Sequence, residues 1–189
     1  MRIIGGSLRG RAINPPAGYQ ARPTTDFAKE GLFNSLDNEF FFDGLAVLDL
    51  FGGTGSIAFE FASRGAGSVI SVEMNPVNAT FIRRTAAALG VAQTVQVVRH
   101  NVFDFIPLCT KRFDIVFADP PYAIEGLDTI PDKVLAKGLV HAQGYLILEH
   151  PAEYNFAAHP SFVKEKKYGN VHFSFFRPRP EPEASGSES

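Results

Sequence analysis

The segment from Val47 to Ser56 constrains the fold of this chain more than any other. It reads Val-Leu-Asp-Leu-Phe-Gly-Gly-Thr-Gly-Ser, an apolar strand that runs straight into a glycine-rich turn and then a helix. Glycines suit such a turn because they adopt dihedral angles that other residues avoid and let a ligand approach the backbone. A strand, turn and helix joined in this way predict a parallel α/β sheet that binds a ligand at the carboxyl ends of its strands.

The rest of the chain alternates short apolar strands with helical segments, as such a sheet requires. The predicted strands are 46–51, 68–73, 94–99, 114–118 and 144–149, and the predicted helices are 25–36, 56–63, 76–89 and 133–137. Two last strands, 162–168 and 172–177, have a Gly169-Asn170 turn between them, which indicates an antiparallel hairpin. We therefore predict a mostly parallel, doubly wound, Rossmann-like α/β sheet that ends in an antiparallel hairpin.

The two ends of the chain differ in character from this alternating middle. Residues 1–14 are predicted to form a small hairpin around Gly5-Gly6, and the Pro- and Gly-containing residues 14–23 are predicted as a loop. We expect residues 1–25 to be an extension, 26–177 to be the main domain, and 178–189 to be a disordered tail.

Charge is distributed unevenly along the chain, although the net charge is only −2. Residues 1–30 hold five basic and two acidic side chains, and residues 162–179 hold five and one. The acidic excess lies between them. Basic ends on an acidic body indicate an anionic partner for the ends rather than for the whole surface.

Several classes of protein are disfavoured by the composition. The single cysteine, Cys109, permits no disulfide within the chain, and the five histidines are too scattered to predict a metal site. The first residues lack the apolar run of a signal peptide, and no stretch of about 18 apolar residues is present to span a membrane. We expect a soluble, cytoplasmic monomer with no bound metal.

Two carboxylates indicate which ligand the glycine turn binds. Gly53-x-Gly55-x-x-Ala58 also fits a dinucleotide fingerprint, with Glu73 where a ribose-binding acid belongs, so a dehydrogenase is one alternative. Asp49, inside the strand, favours another ligand because a carboxylate suits the ammonium group of a methionine moiety better than a pyrophosphate. An ammonium, a sulfonium and a ribose together define S-adenosyl-L-methionine. The residues expected to bind it are Asp49, Phe51, Gly52, Gly53, Gly55, Glu73, Met74, Asn101 and Val102, with the Asn101 carbonyl oxygen as a candidate acceptor for the adenine amine.

The candidate catalytic residues follow the fourth strand as Asp119-Pro120-Pro121-Tyr122. The prolines fix the backbone, and the Pro120 carbonyl and Asp119 carboxylate supply two neighbouring acceptors. Two acceptors that hold the hydrogens of an exocyclic amine localise its lone pair and direct it at a methyl group. Tyr122 provides a surface on which an extruded base can stack.

These motifs resemble those of class I amino-methyltransferases, a group that covers adenine, cytosine, guanine and glutamine methylation. The N-terminus, Met1-Arg2-Ile3-Ile4-Gly5-Gly6-Ser7-Leu8-Arg9-Gly10-Arg11, and the later Arg22-Pro23-Thr24-Thr25-Asp26 narrow the resemblance to the family of small-subunit ribosomal RNA guanine-N2 methyltransferases of type D. Glu149-His150-Pro151 and Lys166-Lys167-Tyr168-Gly169 resemble that family as well, so the likeness spans residues 1–177. The family usually has Phe-Ala-Gly-Ser-Gly at residues 51–55 and Gly-Asp at residues 100–101, where this chain departs from it.

The resemblance implies a specific guanine in 16S ribosomal RNA as the target, met within an assembling small subunit. The basic N-terminus fits this substrate because arginines suit a phosphate backbone. The residues expected to contact RNA are Arg2, Arg9, Arg11, Arg22 and Thr24. Two alternatives remain: a DNA adenine-N6 methyltransferase, for which few residues are left after Tyr122 to form a recognition domain, and a non-catalytic RNA-binding assembly factor that keeps a methyltransferase fold.

Overall fold

The computed structural model describes residues 1–19 and 24–180, and a seven-stranded sheet forms its centre. The strands are β1 (Ala46–Leu50), β2 (Ser68–Val72), β3 (Val95–Val98), β4 (Phe113–Ala118), β5 (Val140–His150), β6 (Phe162–Tyr168) and β7 (Val171–Phe176). The helices are α1 (Asp26–Asp37), α2 (Ser56–Ser63), α3 (Pro76–Ala88), α4 (Val102–Leu108) and α5 (Ile130–Ala136), with a short 3₁₀ helix at Leu127–Thr129. The predicted RNA contact Arg22 and residues 181–189 of the predicted tail lie outside the described residues.

The strand order is β3-β2-β1-β4-β5-β7-β6. Strands β1 to β5 are parallel, and β7 runs antiparallel to both β5 and β6. The predicted sheet, mostly parallel with a terminal antiparallel hairpin, is confirmed. The order reverses between β1 and β4, and ligands of such sheets bind in the crevice beyond the carboxyl ends of the strands at this point.

The sheet is buried on both faces, since consecutive residues of a strand enter different cores. Val47 packs in a core with α1, α2 and α3, whereas Leu48 packs in a second core with α4 and α5. Ile115 and Val116 divide in the same way on β4. Because strands buried on both faces have nearly continuous apolar sequences, this arrangement explains the unbroken apolar runs of β1 and β4.

Capping residues and prolines in the sequence predicted most helix starts correctly. The Thr25 side chain accepts the Ala28 N–H at 3.1 Å and caps α1, and Asn75 caps α3 just before Pro76. Helix α5 begins at Ile130, earlier than the predicted 133, and β5 begins at Val140 rather than 144. Helix α4 was missed altogether, because its seven residues include Pro107 and have too little length for a helical repeat.

The N-terminal segment forms the predicted antiparallel pairing, but its turn is longer than the predicted Gly5-Gly6 turn. Arg2 bridges Ala12, and the N–H groups of Ile3 and Ile13 donate to the carbonyls of Arg11 and Met1, both at 2.9 Å. The residues between form an irregular loop whose Ser7 N–H donates to the Ser63 carbonyl at 2.7 Å. Ile3 and Ile13 are completely or almost completely buried in the core with α1 and α2. This segment therefore contributes two side chains to the core, while its arginines face outward.

A buried polar cluster fixes this segment to the domain. The fully buried Lys29 ammonium donates to the Arg2 carbonyl at 2.6 Å and to the Ser56 hydroxyl at 3.1 Å, and it lies 3.6 Å from Glu60. Glu60 accepts the N–H groups of Ile4 and Gly5 at 2.9 and 2.8 Å. A buried charge is tolerated only when it is paired and hydrogen-bonded, so removing the N-terminus would leave this ion pair incompletely satisfied.

Candidate active site

A cleft of about 880 Å³ opens beyond the carboxyl ends of the central strands. Its volume falls within the usual range for small-molecule sites, roughly 300–1,000 Å³. All the predicted cofactor-binding and catalytic residues line it except Gly55, which caps the adjacent helix α2. The structure thus brings together a set of residues from 49–102 and a second set from 119–122.

The glycine turn forms one wall of the cleft and contains strained backbone. Phe51 has φ of 65°, which is rare for a bulky side chain, and Gly53 and Gly55 have φ of 58° and 81°. The Gly52 N–H donates to the Val72 carbonyl at 2.8 Å and ties the turn to β2. Non-glycine residues in this region of dihedral space cluster at ligand sites, so Phe51 supports the prediction that this turn is functional.

Asp49 is the most deeply placed carboxylate of the cleft, with only 2% of its surface exposed. Its partner is Ser71 on β2, whose hydroxyl donates to it at 3.2 Å. Burial raises the pKa of Asp49 to about 7, the Ser71 hydrogen bond opposes the rise, and the Glu73 charge adds to it. A buried carboxylate with so little compensation is suited to a cationic ligand.

Gly52 is explained by the same pair of residues. A Cβ at position 52 would collide with the Ser71 hydroxyl that reaches Asp49. Glycine at this position therefore leaves room for the hydrogen bond from Ser71 to Asp49.

Glu73 follows the last residue of β2 and bridges two backbone segments. One carboxylate oxygen accepts the Gly53 N–H at 2.7 Å, and the other accepts the Asn75 N–H at 2.7 Å. Each carboxylate oxygen can accept more than one hydrogen bond, so both remain able to bind a hydroxyl group in the cleft. The two backbone bonds hold the carboxylate in place for such a contact.

Asn101 has a structural role that was not predicted from the sequence. Its carbonyl oxygen, predicted as an acceptor for adenine, accepts the Phe103 N–H at 2.9 Å and caps α4. Its amide nitrogen faces the Met74 sulfur at 3.7 Å. Met74, Val102 and Phe103 add apolar surface to this end of the cleft, which suits a flat heterocycle.

The predicted catalytic residues lie beyond β4, beside the glycine turn. Asp119 is partly exposed to the cleft, Pro120 is buried, and Tyr122 stands at the opening with 43% of its surface exposed. Enclosure by the cleft walls raises the pKa of Asp119 well above its usual value, and the nearby Glu149 carboxylate raises it further.

Glu149 was not predicted as a site residue, and Thr24 was predicted for RNA rather than for the cleft. Thr24 is 8% exposed, and its Oγ1 lies 2.9 Å from a Glu149 oxygen and 3.3 Å from an Asp119 oxygen. The Tyr122 hydroxyl donates to the other Glu149 oxygen at 3.1 Å. A signal for Glu149 did exist, since it ends a predicted strand at the sheet edge where ligands bind.

The three predicted RNA-binding arginines that the structure describes lie outside the cleft. Arg2, Arg9 and Arg11 are exposed, and Arg2 is 3.3 Å from Asp26. Nearer the opening, the exposed ring of Phe27 meets Tyr168 edge to face, with ring centroids 6.0 Å apart. The cleft interior is therefore acidic, and an aromatic pair lies at its opening.

Two kinds of feature are absent from the described residues. Within residues 1–19 and 24–180, no group of three or more His, Cys, Asp or Glu side chains is arranged to hold a metal ion. Over the same part of the chain, no helix combines the length and apolar character needed to cross a membrane.

Similar proteins support a common ancestry for the whole domain. The family model described as conserved hypothetical protein 95 matches residues 1–177. A Bacillus subtilis protein, YlbH, whose name describes an rRNA methyltransferase, is 32% identical over 156 residues, covering 81% of this chain and 84% of that protein. The ribosomal RNA small subunit methyltransferase D of Escherichia coli K12 is 29% identical over 180 residues, covering 94% and 89%. The solved structure of a hypothetical protein from Thermus thermophilus superposes with a TM-score of 0.82 at 30% identity, covering 94% and 99%.

Proposed function

Because this chain belongs to the family described as conserved hypothetical protein 95, with relatives named as ribosomal RNA methyltransferases, we propose that it methylates ribosomal RNA with S-adenosyl-L-methionine as the donor. We further propose the exocyclic N2 amine of a guanine in the small-subunit RNA as the target. The observation that carries the proposal is the placement of Asp119 in the same cleft as Asp49 and Glu73. Amine acceptors and a binding site for a cationic ligand thereby face one another.

The side chains that line the cleft fit this cofactor. Asp49 supplies a buried negative charge for the ammonium group, and its raised pKa reflects how poorly that charge is compensated without a cation. Glu73, held by two backbone N–H groups, binds the ribose hydroxyls. The apolar surface of Met74, Val102 and Phe103 packs against the adenine ring.

The chain's own residues prepare the amine for transfer. When bound, the cofactor supplies an electrophilic methyl group on a sulfonium. Asp119 and the Pro120 carbonyl accept the two hydrogens of the target nitrogen, whose lone pair would otherwise be delocalised into the aromatic ring. Acceptors fixed in a cleft need no reorganisation as the nitrogen changes geometry, and such preorganisation is a large source of rate enhancement.

The base must leave its stack to reach Asp119. Enzymes that modify bases extrude the target nucleotide and stack it against aromatic side chains. Tyr122 stands at the opening of the cleft and provides that surface. The exposed Arg2, Arg9 and Arg11 contact phosphates outside the cleft, where arginine adds affinity without reading sequence.

A transfer assay with labelled cofactor tests the proposal. The protein is incubated with naked 16S RNA and with small subunits from cells that lack it, and the RNA is then digested to nucleosides. We expect the label in N2-methylguanosine and in no other nucleoside. Label in N6-methyladenosine would contradict the guanine assignment, and cofactor binding without transfer to either substrate would favour an assembly factor.

A further inference from the structure

Asp119 and Glu149 form a pair at the carboxyl ends of β4 and β5. Strands β4 and β5 are parallel neighbours, and Ala118 pairs with Leu148. The residue after Ala118 is Asp119, and the residue after Leu148 is Glu149. The two carboxylates therefore project into the cleft side by side. The single Thr24 hydroxyl lies within 3.3 Å of Asp119 and 2.9 Å of Glu149.

The Glu149 carboxylate is held firmly in this position. Only 4% of the residue is exposed, Thr24 contacts one carboxylate oxygen, and the Tyr122 hydroxyl donates to the other at 3.1 Å. A carboxylate has about four lone-pair directions, so these two partners leave acceptor capacity on both oxygens. Glu149 therefore offers a fixed acceptor beside the one that holds the target amine.

The bases that carry an exocyclic amine differ at the ring nitrogen next to it. Guanine has an N1–H donor beside its amine, whereas adenine and cytosine have a ring lone pair at the corresponding place. We propose that Glu149 accepts the N1–H of the target nucleotide and is the residue that selects guanine. This inference rests on the proposed function and extends it, since Asp119 and Pro120 already account for the two amine hydrogens.

The effect on selectivity is expected to be large. A carboxylate that faces a ring lone pair meets repulsion and is left without a partner, which works against adenine and cytosine as effectively as it works for guanine. Sites built to hydrogen-bond a substrate group reject analogues that lack the group by up to about 10⁴-fold or more. We expect a contribution of roughly a hundredfold from Glu149 alone, because the stacked ring still binds.

The test uses 2-aminopurine, which keeps the 2-amino group but has a lone pair at N1. It replaces the target guanine in the smallest RNA or reconstituted particle that the wild-type protein methylates. The wild-type protein is expected to prefer guanine over 2-aminopurine by at least roughly a hundredfold in kcat/KM. Glu149→Gln is expected to reduce that preference at least tenfold, because the new amide can donate to N1. The analogue also lacks the guanine O6, but this loss affects both proteins alike and cancels when their preferences are compared.

The controls separate the possible outcomes. Glu153→Gln changes an exposed acid away from the cleft and should leave the preference unchanged. S-adenosylhomocysteine affinity within about threefold of wild type shows that Glu149→Gln retains the fold. If Glu149→Gln slows both substrates equally, the residue only positions Tyr122 and Thr24, and the inference is overturned.

Measurements on the wild-type protein alone guard against a variant that fails to fold. Equal methylation of guanine and 2-aminopurine would overturn the inference without any substitution. Failure to methylate guanine, together with transfer to adenine, would instead overturn the proposed function.

Discussion

Two halves of one cleft each contain a pair of carboxylates at the carboxyl ends of neighbouring strands, yet the pairs differ in arrangement. On β1 and β2, Asp49 and Glu73 have separate partners: the Ser71 hydroxyl for one and two backbone N–H groups for the other. At the ends of β4 and β5, Asp119 and Glu149 share the Thr24 hydroxyl. The carboxyl ends of the strands therefore present two separate acceptors at β1 and β2 and a close pair at β4 and β5.

The difference matches the shapes of the two proposed ligands. A long cofactor presents its ammonium and its ribose hydroxyls far apart, so each needs an acceptor of its own. The edge of a guanine presents adjacent N–H donors, so its acceptors must be adjacent too. The register of β4 against β5 places the second pair side by side, and Thr24, which precedes α1, contacts both carboxylates.

The largest expected effect comes from the close pair. Asp119→Ala should reduce the single-turnover methylation rate by roughly a hundredfold or more, the scale of removing a preorganised polar group at a reacting centre. Affinity for S-adenosylhomocysteine should stay near normal, because the separated pair is untouched. Asp43→Ala, which removes an exposed acid before β1, is the matched control. A lower melting temperature with an unchanged rate per folded molecule would mean that Asp119 only shapes the turn.

The separated pair is tested by Asp49→Asn through cofactor affinity. Loss of a charged hydrogen-bond partner costs about 1.5–3 kcal/mol, so S-adenosylhomocysteine should bind roughly tenfold to a hundredfold more weakly by calorimetry. With its pKa raised to about 7 by burial, Asp49 must lose a proton to pair with the ammonium group. Wild-type affinity should therefore rise between pH 6 and 8. Because the pKa of Asp119 is raised as well, the rise should be read as the difference between wild type and Asp49→Asn.

Asp49→Asn should also stabilise the free protein at high pH. The pKa of Asp49 is about 7 when folded, against 3.8 ordinarily, so its contribution to stability is present at low pH and lost as pH rises through 7. Removing the charge should raise the free energy of unfolding at pH 8 by up to about 4 kcal/mol, with a smaller gain at pH 5. Denaturation curves at the two pH values measure this, and equal stability at pH 8 would show that Asp49 is not a strained, uncompensated charge.

Tyr122 connects the close pair to the bound base. Tyr122→Ala should lose about 1–3 kcal/mol of base stacking, measured as weaker RNA binding. Tyr122→Phe keeps the ring but removes a donor to Glu149, so we expect a loss of about 1 kcal/mol rather than none. Phe41→Ala removes a 95% exposed aromatic ring elsewhere and serves as the control. Equal losses in the Phe and Ala variants would argue against stacking.

The smallest expected effects belong to the N-terminal arginines. Arg9→Ala and Arg11→Ala should each reduce the salt dependence of RNA binding by about 0.7 units of slope, without changing cofactor affinity. Point substitutions are preferable to deletion of residues 1–14, because deletion removes Ile3 and Ile13 from the core. Arg84→Ala, an exposed residue of α3, is the control. Unchanged slopes in both variants would move the RNA contact to another surface.

The parts of the fold that the sequence predicted are those with local signals. The glycine turn after β1, Pro76 at the start of α3 and Gly169-Asn170 in the last hairpin all act on their own neighbours. Their order along the chain is enough to predict a parallel sheet with an antiparallel end. The resemblance to a methyltransferase family, based on the glycine turn, residues 119–122 and the N-terminus, is confirmed by the family model together with the relatives.

The parts of the fold and the site that the sequence did not predict depend on contacts between distant segments. Glu149 becomes a partner of Asp119 only through the register of β4 against β5, and Thr24 joins them across 125 residues of chain. Ile3 belongs to the core because Lys29 and Glu60 hold the backbone on either side of it, and Ile13 follows because it pairs with Met1. Periodicity along the chain contains no information on such pairings.

Mass mapping of small-subunit ribosomal RNA is the most direct test of the central claim, the transfer of a methyl group to a guanine N2 at the close pair. The RNA is taken from cells with the protein, without it, and with either the wild-type protein or Asp119→Ala restored. The account predicts that one N2-methylguanosine disappears in its absence, returns with the wild-type protein and does not return with Asp119→Ala. Unchanged guanine methylation in cells without the protein, or the loss of a methylated adenine in its place, would contradict it.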